Sequence, residues 1–394
     1  MWGRPEGQLD GILHPTVYDI AIVGLGGMGS AALASASRLG LRVVGLEQFG
    51  RLHELGASSG RSRMIRKAYF EDEAYVPLLL RAYDAWRELE AQTGEKILYQ
   101  TGVLMVGQPN NSILEGARRT ALAHGLAHED LSRDDVARRF PQFSVREGEV
   151  ALFEPEGGFV VPEAAVQAHL SVAEANGAET RFNTRVTGWQ SSSSGHLRVD
   201  LEDGTSLETA RLAICSGPWI APILRELGVP LTIQRNVQHW FEPAAGRFAL
   251  ANCPSFFADR DDQPTRLYGF PDHGYGVKAA FHGYGEQATT DSLDREIHEY
   301  DIEPVRLALD NLLPGAAGRY LGGKACMYAL TPDEHFVVTI HPSDERIVVA
   351  GGFSGHGFKF APVIGEVVSS LLVDGGTRFD IGFLSNARFA KAAQ

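Results

Sequence analysis

The amino-acid sequence predicts an α/β fold: a doubly wound domain gathered from separate stretches of the chain, joined to a second α+β domain built on a mainly antiparallel sheet. Three observations carry this. Near the N-terminus an apolar strand runs into a glycine turn, an Ala-rich helix, a second strand and an acid. Near the C-terminus a buried-type strand again runs into a glycine loop and a helix. Between them lie alternating strands that belong to a different sheet.

The first strand is read from Tyr18 to Val23 and stops at Gly24-Leu25-Gly26-Gly27-Met28-Gly29, after which Ser30 to Leu39 reads as helix. Gly24 permits the tight turn, Gly26 lets backbone amides approach a pyrophosphate, and Gly29 allows the helix to pack close on the strand. Leu41 to Leu46 supplies the second parallel strand, and Glu47 ends it where a carboxylate accepts hydrogen bonds from ribose hydroxyls. In this order the elements predict a Rossmann-like fold holding an adenine dinucleotide. They do not separate FAD from NAD, whereas Glu47 disfavours NADP because it would repel a 2′-phosphate.

Tyr75 to Thr93 carries apolar residues at helical spacing and ends near Gly94, so it is a core-facing helix. Gly102 to Gly107 is a strand entering the second sheet, followed by a helix from Ser112 to Gly125. Phe153 to Phe159 is a turn-rich crossing, Pro162 to Asn176 a helix, and Glu179 to Val186 a return to strands. The tract Ser191 to Gly195 is a hairpin loop between alternating strands that end at Asp203-Gly204. Leu212 to Cys215 runs into Ser216-Gly217-Pro218-Trp219, a turn that either closes over the nucleotide or is a plain crossover. The division expected is 17–95, 151–225 and 323–385 for the nucleotide-binding domain, with 96–150 and 226–322 for the substrate domain.

Ile347 to Ala350 leads through Gly351-Gly352-Phe353-Ser354-Gly355-His356-Gly357 into a helix from about Pro362 to Val373. In a flavoenzyme such a helix N-terminus can face the pyrimidine end of the ring, where negative charge gathers on reduction; the alternative is another tight turn. Ser58 to Lys67 concentrates cations in an acidic chain. If helical, it sets Arg63, Arg66 and Tyr69 on one face, with guanidinium donors suited to a carboxylate or a reduced flavin; a solvated face is the competing reading. Tyr268-Gly269-Phe270-Pro271 with Lys278 and His282, and Lys324 to Tyr328 with Cys326, are further groups that composition alone does not select.

A formal charge of −13 over 394 residues argues against a nucleic-acid partner, which needs clustered cations. No apolar run reaches the roughly 18 residues of a membrane span, and Met1 to Pro15 lacks the apolar centre of a signal peptide. Cys215, Cys253 and Cys326 are too few and scattered for a disulfide framework or a zinc site. The expectation is a cytoplasmic protein without a metal.

Taken together, the glycine turn at 24–29, Arg63-Met64-Ile65-Arg66-Lys67-Ala68-Tyr69, Tyr268-Gly269-Phe270-Pro271, Cys326-Met327-Tyr328 with Asp333-Glu334-His335-Phe336, and Gly352 to Phe360 resemble the monomeric sarcosine oxidase family over nearly the whole chain after Val17. That family includes N-methyltryptophan and pipecolate oxidases and, more distantly, fructosyl-amino-acid oxidases. The resemblance implies FAD, carried covalently through a thioether on Cys326, and an oxidase of a small N-substituted amino acid. It implies that Arg66 and Lys359 hold the substrate carboxylate, with Tyr328 bordering that site. It further implies that Lys278 activates O2, Arg63 lies over the flavin, His282 and Tyr268 line the pocket, and Gly355, His356 and Gly357 border the cofactor. A monomer acting on a small-molecule amino acid is expected.

Two positions depart from the pattern: Ser59 stands where a histidine is common, and Arg61 where an acid is common. Both bear on pocket size, since a smaller side chain at Ser59 could enlarge the pocket or remove a polar contact. The resemblance leaves residues 1–16 unexplained. The competing classes are an oxidase of a bulkier secondary amino acid, an FAD dehydrogenase with a protein acceptor, a flavin-binding scaffold, and an NAD dehydrogenase for which Cys326 is redundant.

Overall fold

The computed structural model describes residues 17–244 and 246–390; the N-terminal extension 1–16 lies outside the described residues. The Val17–Val23 strand pairs in parallel with Val43–Leu46 on one side and Ser206–Ile214 on the other, and Asp344–Gly351 continues the parallel set beside Ser206–Ile214. The sheet has eight strands, with Glu179–Arg181 at one edge, Val337–His341 beyond Asp344–Gly351, and the Val186–Ser191/Leu197–Leu201 hairpin on the start of Ser206–Ile214. Alternation explains its two buried faces. Ile20 and Ile22 pack against helices Gly27–Ser37, Val76–Thr93, Pro162–Ala175 and Ala361–Asp374, whereas Ala21 and Val23 face a second core with Ile220 and Leu224.

Gly27–Ser37 and Ala361–Asp374 approach so closely that a Cβ on Gly365 would stand 2.5 Å from the Ala31 carbonyl carbon. This contact ties the C-terminal glycine loop to the N-terminal one. Gly94 and Gly125 end the Val76–Thr93 and Ser112–His124 helices in left-handed conformation, which only glycine adopts without cost.

The second sheet has nine strands, antiparallel except where Ser255–Ala258 runs parallel to Val103–Gly107. Its outer face is covered by Glu299–Leu312 and Arg133–Arg139 and its other face partly by Ser112–His124. Strands Val150–Glu154 and Tyr320–Leu330 both belong to this sheet, so parts of 151–225 and 323–385 run in a different sheet from the rest of those segments. A three-stranded sheet of Arg63–Ile65, Gly158–Val160 and Leu98–Tyr99 bridges the two. Among the described residues no helix is long and apolar enough to cross a membrane, and no cluster of His, Cys, Asp or Glu could hold a metal ion.

Candidate active site

A cleft of about 820 Å³ runs from the N-terminal glycine turn to the face of the second sheet. At one end the turn demands its glycines: Gly24 has φ +87°, a Cβ there would lie 2.6 Å from the Cys215 carbonyl oxygen, and one on Gly29 would lie 1.7 Å from the Gly24 oxygen. The Gly27–Ser37 helix has no side-chain N-cap, leaving its positive end to a ligand, although the Gly27 amide donates to Ser58 Oγ at 2.8 Å. Glu47 is buried and accepts from the Leu25 and Phe49 amides at 2.8 and 3.0 Å. Burial pushes its carboxyl up, but His53 and these amides more than offset this and hold it below the usual range. Ser216 to Trp219 also line the cleft, which settles the crossover turn as a wall of it.

The cation-rich stretch is not helical. Arg63–Ile65 is a strand paired with Gly158–Val160, because an extended partner 95 residues away satisfies its backbone. Arg63 and Arg66 therefore serve different ends of the pocket. Arg63 donates to the Ser62 and Ala57 carbonyls at 2.9 and 3.1 Å and to Gln238 Oε1 at 3.3 Å, and its Nη2 is 3.7 Å from Cys326 Sγ. Cys326 is buried on Tyr320–Leu330 and is a free thiol on the cleft wall.

Arg66 is buried, and its Nη2 lies 2.6 Å from both oxygens of Glu71, while Nη1 donates to the Ala68 carbonyl at 2.9 Å. Burial pushes Glu71 up, but Arg66, His356 and Lys359 together outweigh it, and the carboxyl falls to about 2. Lys359 is buried and donates to the His356 carbonyl at 3.1 Å, with its own carbonyl held by Trp86 Nε1 at 3.0 Å. Burial, aided by Arg66 and opposed by Glu71, brings its ammonium down to about 7. Tyr69 connects the pair: its ring lies 4.6 Å from Arg66 Cζ and 5.0 Å from Lys359 Nζ, and its hydroxyl bonds His356 Nδ1.

Between these ends, His282 Nδ1 is 3.2 Å from the Tyr328 hydroxyl, and the Tyr268 and His282 ring centres are 6.3 Å apart. Burial holds His282 neutral, at about 4, and raises both tyrosines. Phe257 closes the wall 6.2 Å from His282. Gly355 has φ +76°, and a Cβ there would collide with the Tyr328 ring at 2.2 Å. The C-terminal loop also lines the cleft through His356 and Gly357, and a single 3-10 turn, Phe358–Phe360, precedes the helix.

Of the expected site residues, Lys278 and Gly29 stand behind the wall and the others line the cleft. Lys278 is buried and donates to the Gly60 and Ser62 carbonyls at 2.7 and 2.8 Å; burial, then Arg63, lowers its ammonium well below the ordinary lysine value. Ser59 is buried off the cleft, and Arg61 is exposed, its Cζ 3.9 Å from the Tyr275 ring centre. Neither side chain lines the cleft. Glu71 and Phe257, which line the cleft, and Gln238, which holds Arg63, were missed by the sequence reading; the acids Glu71-Asp72-Glu73 just after the arginines were the one hint.

A family model described as FAD dependent oxidoreductase matches residues 19–371. The chain is 42% identical to monomeric sarcosine oxidase of Streptomyces avermitilis, over 96% of this chain and 100% of that one. It is 36% identical to N-methyl-L-tryptophan oxidase of Yersinia pestis, over 94% and 99%. The chain belongs to the monomeric sarcosine oxidase family of FAD-dependent oxidoreductases. Solved structures share the fold of this flavin-dependent amine oxidase. They include an amino acid oxidase essential for nikkomycin biosynthesis (TM-score 0.82, 22% identity, 94% and 97% coverage) and glycine oxidase of Geobacillus kaustophilus (0.80, 22%, 94% and 99%). The residues present fit FAD: an uncapped helix N-terminus beside crowded glycines, an acid at the end of the second strand, and one continuous cleft reaching to Cys326.

Proposed function

We propose that this flavoenzyme oxidises a small N-methyl amino acid of the sarcosine type to its imine, which water converts to an aldehyde and an amine, with O2 reduced to hydrogen peroxide. The observation that carries the reading is one cleft with two buried cations, Arg66 and Lys359, at one end and Cys326 beside Arg63 at the other. FAD, when bound, supplies the two-electron acceptor for the C–N bond. Gly24, Gly26 and Gly29 with Glu47 would hold its dinucleotide, Gly355, His356 and Gly357 would border its ring, and Cys326 would bind it through a thioether.

Arg66 and Lys359 grip the substrate carboxylate, which takes over charge that Glu71 otherwise neutralises. Burial, which already holds His282 neutral, disfavours another positive charge, so the amine binds after losing its proton. Only then does nitrogen have the lone pair that assists loss of hydride from the adjacent carbon. Tyr268, His282 and Tyr328 position that nitrogen and exclude water, and Arg63 on the wall with Lys278 behind it forms the cationic side at which O2 would be reduced. Phe257 packed by His282 supports a small substituent rather than the indole or sugar of bulkier secondary amino acids.

Two units, divided by sheet, would meet at this cleft, and a chain of this kind would act as a monomer. Three free thiols fit the cytoplasm. The test is anaerobic: the purified holoenzyme is mixed separately with sarcosine, N-methyltryptophan, pipecolate, proline and fructosyl-glycine. Sarcosine is expected to bleach the flavin band fastest. Bleaching by a bulkier amino acid alone moves the substrate assignment, and bleaching by none refutes the reading.

A further inference from the structure

Lys278 has no carboxylate within hydrogen-bonding reach among its described partners; it is held by backbone carbonyls. Those carbonyls belong to an unusual turn. Gly60 has φ +104° and Arg61 φ +66°, and the Ser62 amide donates to the Gly60 carbonyl at 2.8 Å, which makes Arg61 the centre of a left-handed γ-turn. Such turns are rare and strained, and a side chain at positive φ adds roughly 1–2 kcal/mol. Something must hold the chain there.

Glu163, in the first turn of the Pro162–Ala175 helix, meets that need. Its Oε1 accepts from the Gly60 amide at 2.6 Å and the Arg61 amide at 3.1 Å, and Oε2 from the Arg61 amide at 3.2 Å. With its amides drawn to one side, the turn presents its carbonyls on the other. The Gly60 oxygen meets Lys278, and the Ser62 oxygen meets both Lys278 and Arg63. A Cβ on Gly60 would stand 2.2 Å from Gln238 Oε1, so the turn is also wedged against the Arg63 partner.

We propose that Glu163 is a positioning residue for the oxidative half-reaction: it fixes the 60–62 turn whose carbonyls hold Lys278 and Arg63. The inference rests on the reading of Lys278 given above as the oxygen-activating cation. The carboxylate acts through backbone amides and also as a negative charge near Lys278, which otherwise faces Arg63, Lys324, the Cys326 thiol and the rings of Trp240 and Phe270.

Its test separates the half-reactions. Flavin is reduced photochemically, so no substrate assignment is needed, and reoxidation by O2 is followed by stopped flow in the parent, Glu163→Gln, Glu163→Asp, Lys278→Met and the Glu163→Gln/Lys278→Met double variant. Glu163→Gln is expected to slow reoxidation at least tenfold, Glu163→Asp less, and the double variant no more than Lys278→Met alone. In a second readout, the 15N resonance of the Lys278 ammonium, one of six lysines and assigned by its loss in Lys278→Met, is expected to titrate at lower pH in Glu163→Gln. Parent-like reoxidation in Glu163→Gln, or equal slowing in the Lys278→Met background, overturns the proposal. Normal reoxidation in Lys278→Met overturns the role of Lys278 and the proposal with it. Should Glu163→Gln fail to load flavin, Glu163→Asp decides alone: slowed reoxidation supports the proposal and a parent-like rate overturns it. Failure of every amine to reduce the flavin would instead sink the substrate reading and leave these rates standing.

Discussion

Lys359 shows how a single buried group can set a pH limit. Free lysine titrates near 10.4, but burial and Arg66 bring this one down to about 7. Below that value the ammonium is present and attracts an anion; as pH rises through it the charge is lost, and binding an acid must recover the proton. Affinity for methoxyacetate, which matches sarcosine in shape but has no titratable nitrogen, should therefore fall by up to about tenfold per pH unit above 7. Titration of the flavin spectrum checks this, and Lys359→Met should bind more weakly at low pH and lose the slope. The charge at 359 could be read from the Ser-Gly-His-Gly-Phe-Lys block, whereas its altered proton affinity could not. That depends on Trp86, Tyr69 and Glu71, brought in from distant or unremarkable stretches of sequence.

At the scale of elements, the glycine turns and their helices were legible because each needs a backbone that only glycine supplies. The crossing of Gly27–Ser37 and Ala361–Asp374 adds a test. Gly365→Ala forces a methyl against Ala31 and should destabilise the protein by about 1–3 kcal/mol. Because that crossing anchors both glycine loops, flavin content should fall with the melting temperature; an unchanged Tm and full flavin loading would show that the helices part freely. The arginine stretch misled for a physical reason. Arg63, Arg66 and Tyr69 have helical spacing, but the strand Gly158–Val160 offers hydrogen bonds that local sequence cannot reveal. The same long reach hid Glu163, which looks like an ordinary first-turn acid of a helix until its partner loop is seen.

For the whole molecule, the two sheets act as opposite walls: one brings the N-terminal glycine turn and Glu47, the other brings Tyr268, His282, Cys326 and Tyr328. Cys326 lies on the second wall, so a thioether there would tie the cofactor across both. Acid precipitation should leave the parent pellet yellow and release the flavin from Cys326→Ser; colour retained in the variant would exclude that bond. The strand holding Cys326 was expected with the nucleotide-binding segments but runs in the other sheet, a pairing with Thr232–Phe241 over nearly its full length that periodicity alone could not assign.

The central claim is that two cations grip an acid while its neighbouring C–N bond is oxidised. Anaerobic reduction of the flavin by sarcosine and by sarcosine amide, compared at one pH below 7, where Lys359 keeps its charge, with each concentration corrected to its neutral-amine fraction, tests it most directly. Charged hydrogen bonds contribute roughly 1.5–3 kcal/mol each, so the amide should require at least about 100-fold higher concentration for half-maximal reduction rate. Equal concentrations for the two compounds would contradict the account.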